Sequence, residues 1–341
     1  MHFTLSDDQQ EIKDTAHSLL EARSPMTRVR ELAEAGGYDD ALWAEVSELG
    51  WPGIAVAEEH GGQGLGMVEL AAVLEELGYA CAVTPMLGTV LAAEAIGHAG
   101  SAAQRDRWLP GLAAGESPGA VGVERDGVAE LVADGPPAAV IVVVDEAAGE
   151  ARAVAADEAE VTATETIDPT RSYARVAAPA GAGEPLESAD AVRDRAAVAL
   201  SAELVGLCQR ALDMTIAYVK DRRQFGVPIG AFQAVQHTAA EMLRHTEAAR
   251  SANYYAAWTA DAEPERLPLA SSMAKVAASD ASRAVTASAI QLHGGIGFTW
   301  EADVHWLFKR AQIGSRLFGG AAAHRARFTR LAAAERAVTS R

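Results

Sequence analysis

Gln291-Leu292-His293-Gly294-Gly295-Ile296-Gly297-Phe298 is the stretch on which the fold turns. It closes a segment, residues 269–293, that reads as one helix, and the paired glycines then stop it. Glycines at that point also let backbone N–H groups approach a phosphate or a ribose with no Cβ in the way. The turn is not a strand–turn–helix dinucleotide fingerprint, because a helix precedes it. Upstream, Asp221-Arg222-Arg223-Gln224-Phe225-Gly226 leads into Phe232-Gln233, where a helix over residues 232–258 begins. Arg222 offers a permanently charged fork suited to a pyrophosphate. Phe225 and Gly226 offer a flat face on a tight turn. Taken singly, each feature has a plainer reading: a helix-ending turn, a solvated charge run, a surface glutamine at Gln233.

Helical patterning extends outward from these segments. Leu200, Leu204, Leu207, Ala211 and Thr215 recur at helical spacing, and a last helical pair covers about 302–312 and 321–338. The first third is helical too. Ser6 and Gln9 form a capping-box pattern ahead of a helix that reaches about Ala22. Residues 41–49 read as a helix stopped by Gly50, Pro52 and Gly53. A glycine-rich loop, Glu59 to Gly66, precedes a helix over 68–78 with Leu70, Val73, Leu74 and Leu77 on one face. Residues 86–96 form a small-residue helix, and 101–109 lead to a break at Pro110-Gly111.

The middle differs. Residues 138–144 are apolar and β-branched, bounded by Pro136-Pro137 and Asp145, and read as a buried strand. Residues 152–155, 161–166 and 173–176 are weaker strand candidates, and 178–185 reads as a linker. The expected architecture is mainly α with a small central β domain: residues 1–117, 118–187 and 188–341.

Composition narrows the partners. With 47 acidic and 29 basic side chains the formal charge is −18, which repels phosphate backbones and anionic lipid. No nucleic acid partner is expected, and a polyanionic ligand needs local arginines or backbone N–H groups. Cys81 and Cys208 form no ligand cluster, which fits a reducing cytosol and offers no metal or disulfide framework. Residues 1–10 are polar and acidic, unlike a signal or transit peptide, and the run 138–144 is too short to span a bilayer. A cytoplasmic protein without membrane contact is expected.

In this order, the segments resemble the acyl-CoA dehydrogenases, flavoproteins that oxidise the Cα–Cβ bond of acyl-CoA thioesters. Leu49-Gly50-Trp51-Pro52-Gly53-Ile54 with Glu59-His60-Gly61-Gly62-Gln63-Gly64 is similar to the start of that family's first helical domain. Gln209-Arg210-Ala211-Leu212-Asp213, then residues 221–226 and Phe232-Gln233, resemble its R-x-x-F-G…Q signature, and residues 291–298 its Q-x-x-G-G-x-G signature. The resemblance covers most of the chain apart from the middle. It implies a C-terminal four-helix bundle and FAD as cofactor. It further implies that Arg222, Gln224, Phe225, Gln233, Gln291, Gly294 and Gly295 hold the pyrophosphate and adenosine side of an FAD bound mainly by a neighbouring subunit.

Two departures shape the expected function. The family's reaction needs a desolvated carboxylate to take the α-proton while flavin N5 accepts the β-hydride. In many members the glutamate lies in a Y-E-G-T-S-E stretch; the corresponding residues here are Phe318-Gly319-Gly320-Ala321-Ala322-Ala323. Gly319 then stands at the base position and Ala321 at that of an FAD-contacting threonine. The family's alternative base position falls near Ala196. Glu301 and Asp303 are secondary candidates, better suited to stabilising the start of the following helix. Asp194 and Glu203 read as exposed helix residues, and His305 and His324 as lone histidines. The middle also lacks an E-P-x-x-G-S-like segment and a tryptophan–threonine strand, Gly119-Ala120-Val121-Gly122-Val123 reads as a relic, and about 70 residues are too few for a closed barrel.

The resemblance narrows, through Gly297-Phe298-Thr299-Trp300-Glu301 and Arg316-Leu317-Phe318-Gly319, to short subunits that pair with full-length ones in actinobacterial steroid degradation. It implies an α2β2 enzyme in which a longer acyl-CoA dehydrogenase subunit supplies the base, the flavin-ring site and most acyl-CoA contacts, with electrons passing to an electron-transfer acceptor. Two alternatives stand beside it. One is a self-associating enzyme using Asp303 or Glu301; the other is a scaffold subunit that binds neither flavin nor CoA.

Overall fold

The computed structural model describes residues 4–339; residues 1–3 of the polar N-terminal stretch lie outside them. Ser6 Oγ accepts from Gln9 N while Gln9 Oε1 accepts from Ser6 N, and this reciprocal cap starts α1 (Asp7–Arg23). There follow α2 (Met26–Ala35), α3 (Asp40–Glu48, capped by Asp39), α4 (Met67–Tyr79), α5 (Met86–Ala99) and α6 (Ala102–Ala113). The break expected at Pro110-Gly111 does not occur. Buried Leu109, Leu112 and Ala113 anchor the last turn of α6 past the proline. The glycine-rich loop folds back on residues 53–56, with Gln63 N, Gly64 N and Leu65 N donating to Gly53 O, Val56 O and Ile54 O.

Seven strands follow: β1 (Gly119–Glu124), β2 (Val128–Ala133), β3 (Val140–Asp145), β4 (Glu150–Ala155), β5 (Glu160–Ala163), β6 (Tyr173–Ala177) and β7 (Glu184–Leu186). One sheet has the order β1-β3-β4-β7, with β1 parallel to β3; the other is antiparallel, β2-β6-β5. The segment read as a relic is thus a full strand, paired along its length with β3. The stretch expected as a strand to 166 ends at Ala163, and the end of the expected linker becomes β7. Between the sheets lies a core of small and β-branched side chains, among them Val132, Ile141, Val143, Val154 and Val176.

The C-terminal part holds α7 (Ala189–Asp221), the hairpin strands β8 (Arg223–Gln224) and β9 (Val227–Pro228), α8 (Gln233–Ala262), α9 (Leu267–His293), α10 (Val304–Gly314) and α11 (Ala321–Thr339). Helix α7 is enclosed by α4, α5, α8, α9 and α10. A Cβ on Gly206 would lie 1.8 Å from Glu75 O, so that glycine sets how closely α7 and α4 approach. The fold is mainly helical with a small central β region, as expected. Among the described residues no helix is long and apolar enough to cross a membrane.

Enclosure of α7 overturns the reading of Asp194 and Glu203 as exposed: they are 2% and 3% accessible. A carboxylate buried that far must be paired. Asp194 takes hydrogen bonds from Arg327 Nη2 (2.9 Å) and Ser271 Oγ (3.0 Å). Glu203 takes both terminal nitrogens of Arg171, at 3.0 and 2.5 Å. Arg171 Nε lies 3.3 Å from Asp134, and Arg310 donates to Thr170 and to Ala82 O while lying 3.6 Å from Asp168. Burial alone would raise the Glu203 carboxyl, but the Arg171 guanidinium holds it below the ordinary carboxylate range. This ionic cluster joins the N-terminal helices, the strands and the bundle at one point.

Candidate functional site

At the end of α7, Arg222 N donates to Tyr218 O and Arg222 O accepts from Ile229 N, each at 2.8 Å. The chain reverses between β8 and β9 through Phe225 (φ 52°) and Gly226 (φ 83°). Two left-handed residues in a two-residue loop are the signature of a type I′ hairpin turn. Glycine accepts that backbone freely, but a phenylalanine there is strained by about 1–2 kcal/mol. Phe225 is also 92% exposed and meets the edge of the Phe232 ring with centroids 6.2 Å apart. An exposed aromatic held in a strained turn gains little from its own chain, and such strain gathers at binding sites.

The other expected residues lie beside this hairpin in the chain or at the end of α9. Among the described residues, no ion pair or side-chain hydrogen bond engages the exposed Arg222 guanidinium. Gln224 Nε2 donates to Arg223 O, and Gln233 is the exposed first residue of α8, whose N-terminus has no side-chain cap. That positive helix end favours anions. At the end of α9, Gln291, Gly294 and Gly295 are exposed, and a Cβ on either glycine would meet nothing within 4 Å. The Tyr218 and His293 rings stack at 4.4 Å, so the two segments leave the bundle at the same end. Together they offer a guanidinium, a flat ring, an uncapped helix start and bare backbone: a surface suited to the anionic, planar part of a dinucleotide presented from outside.

No carboxylate stands where a base was expected. Ala196 is buried in α7. Gly319 (φ 90°) follows Phe318 in the turn before α11, and His324 Nε2 lies 2.8 Å from Phe318 O. Asp303 occupies the N-cap position of α10 without making a cap hydrogen bond; its carboxylate pairs with Arg30 at 2.7 Å. Asp303 thus stands at the helix start that it was expected to stabilise, but makes no cap hydrogen bond, because an arginine from α2 takes its carboxylate. Glu301 is exposed, and its carbonyl accepts from Arg30. Burial pushes both His305 and His324 down to about 4, so each is neutral near pH 7.

Two features were invisible in the sequence. The ionic cluster pairs Glu203 and Arg310 with residues far along the chain, and no local pattern announces such pairs. The aromatic group Trp300, His305 and Trp306, with Lys309 over its indoles, assembles only because the loop after Gly297 folds back on α10.

Comparison with known proteins gives a consistent result. A sequence profile described as acyl-CoA dehydrogenase, N-terminal domain, matches residues 6–116, and one described as acyl-CoA dehydrogenase, C-terminal domain, matches residues 187–332. The chain is 36% identical over 318 residues to acyl-CoA dehydrogenase IpdE2 of Mycobacterium tuberculosis, covering 92% of this chain and 94% of that protein. Among solved structures it is similar to the Tcur3481–Tcur3483 steroid ACAD, a glycine-to-alanine variant, with 30% identity, a TM-score of 0.88 and coverage of 98% and 100%. The ChsE4–ChsE5 complex from Mycobacterium tuberculosis gives 26% identity, a TM-score of 0.87 and coverage of 98% and 99%.

Proposed function

Because the chain belongs to the acyl-CoA dehydrogenase family, we propose that it is the short, base-lacking subunit of a heteromeric acyl-CoA dehydrogenase. In the α2β2 assembly a longer acyl-CoA dehydrogenase subunit supplies the base, the flavin-ring site and most contacts to the acyl-CoA. This chain supplies Arg222, Gln224, Phe225, Gln233, Gln291, Gly294 and Gly295 to the pyrophosphate and adenosine side of a shared FAD. When bound, the flavin takes the hydride that leaves the β-carbon of the thioester. The observation that carries the reading is the absence of a carboxylate at Gly319 and at Ala196, with Asp194, Glu203 and Asp303 all tied into ion pairs. Two solved structures of similar chains, the Tcur3481–Tcur3483 steroid ACAD and the ChsE4–ChsE5 complex, are each named for two components and support a paired assembly.

A self-sufficient homomer would need Asp303 or Glu301 as its base. Asp303 is held by Arg30, and Glu301 is too solvated to gain basicity by burial. A pure scaffold has no use for a strained, exposed Phe225 beside an arginine that is unpaired among the described residues. The likeness to a steroid ACAD makes a steroid-derived acyl-CoA the first substrate to assay, with an electron-transfer protein as acceptor. A cytoplasmic setting suits the two buried free cysteines.

The test is FAD retention on gel filtration, for the chain alone and after mixing with a co-encoded longer acyl-CoA dehydrogenase. FAD is expected to stay with the mixture only. Stoichiometric FAD on the isolated chain would refute the sharing, and so would a stable complex without FAD.

A further inference from the structure

A cavity of about 450 Å³ opens between α9 and α10, lined by Ile290, Phe298, Trp300, Phe308, His305 and Lys309. That volume is in the range of drug-sized ligand sites. Its walls are apolar, yet Phe298 and Trp300 are left 77% and 70% exposed. Lys309 Nζ sits 4.1 Å from the Trp300 ring centroid and 4.7 Å from that of Trp306, a cation held over two indole faces. His305 is 8% exposed and packs against Trp300 and Trp306, with ring centroids at 4.9 and 4.1 Å. Among the described residues neither of its ring nitrogens has a hydrogen-bond partner. A polar ring buried without a partner is costly unless something completes it.

These features define a ligand class. Apolar walls call for a hydrocarbon body, and the flat rings among them favour a rigid one. The Lys309 cation in the lining calls for one negative group, which stands out on a chain whose formal charge is −18. We propose that this cavity binds an amphipathic carboxylate, its apolar body against Trp300 and Phe308 and its carboxylate on Lys309. Gly297, Phe298 and Thr299 wall the cavity and directly follow the Gly294-Gly295 turn. The proposal stands on this cavity alone and does not depend on the subunit reading.

The test titrates the full-length chain, as purified, with sodium deoxycholate and separately with sodium dodecanoate, both below their micellar concentrations. Tryptophan emission and heat of binding are recorded. Saturable one-to-one binding is expected, tighter for the rigid deoxycholate if a polycyclic acid is the natural source and tighter for dodecanoate if a fatty acid is. Trp300→Ala should weaken it by about tenfold, the share of an aromatic wall with its cation–π contact. Lys309→Met should weaken it by about fivefold, as expected for loss of a partly exposed ionic contact. Circular dichroism and thermal midpoints confirm that both variants fold. Non-saturable partition, no binding of either probe, or affinity unchanged in both variants overturns the proposal. So does a tryptophan response to a longer partner subunit but to neither probe, which would make the cavity a seat for protein.

Discussion

Replacing Arg222 by alanine isolates the cofactor contact from the fold. The side chain is exposed and takes part in no ion pair among the described residues. Its backbone N–H and carbonyl, bonded to Tyr218 and Ile229, survive the substitution. Folding stability should therefore change by less than about 0.5 kcal/mol. A charge-assisted contact to a pyrophosphate oxygen contributes about 1.5–3 kcal/mol, which converts to roughly 10–150-fold in Kd. The assay deflavinates the assembled enzyme and titrates FAD back, following the loss of flavin fluorescence on binding. Because the arginine is exposed, salt screens it, so the wild-type Kd should rise more steeply with ionic strength than that of the variant. Arg223→Ala removes the same formal charge one residue away and should weaken FAD less. Equal Kd values for wild type and Arg222→Ala, with the same salt slope, would remove Arg222 from the site.

Three further outcomes test the frame that positions this site. Arg310→Ala removes the guanidinium that faces Asp168, which keeps its hydrogen bonds from Thr170 and Tyr173, and takes that donor from the carbonyls of Thr170 and Ala82; denaturant titration should show a loss of about 3–5 kcal/mol. Gly206→Ala forces a methyl against Glu75 O and should cost about 1–3 kcal/mol or more, read in the same titration. Burial pushes His324 down to about 4 in the folded chain, against the ordinary histidine value of about 6.5, so between these values the unfolded chain binds a proton that the native chain refuses. Stability is therefore lost as pH falls from about 6.5 to about 4, by up to about 3 kcal/mol. His324→Gln should flatten that part of the profile, and an unchanged slope would contradict the assignment.

How much of this was legible in the sequence follows from where each signal resides. Helix α1 carries its own capping box, and α9 ends in its own glycine pair, so local chemistry suffices for both. Helix α2 starts after Pro25 without a side-chain cap, and no local signal marks it. Pro110 reads as a break because a sequence shows the missing N–H and not the buried Leu112 that holds the turn beyond it. The same limit applies to charge. Asp194 and Glu203 look solvated along one helix, and only the enclosure of α7 brings Arg327 and Arg171 onto them. The hairpin residues around Phe225 were legible as a motif, whereas its strain and exposure belong to the backbone.

The central claim concerns who performs the chemistry, and anaerobic flavin reduction addresses it directly. The isolated chain, given excess FAD and a steroid-derived acyl-CoA, should leave the flavin's visible absorbance unbleached, while the chain assembled with its longer subunit should bleach one flavin per shared site. Stoichiometric bleaching by the isolated chain would contradict the account.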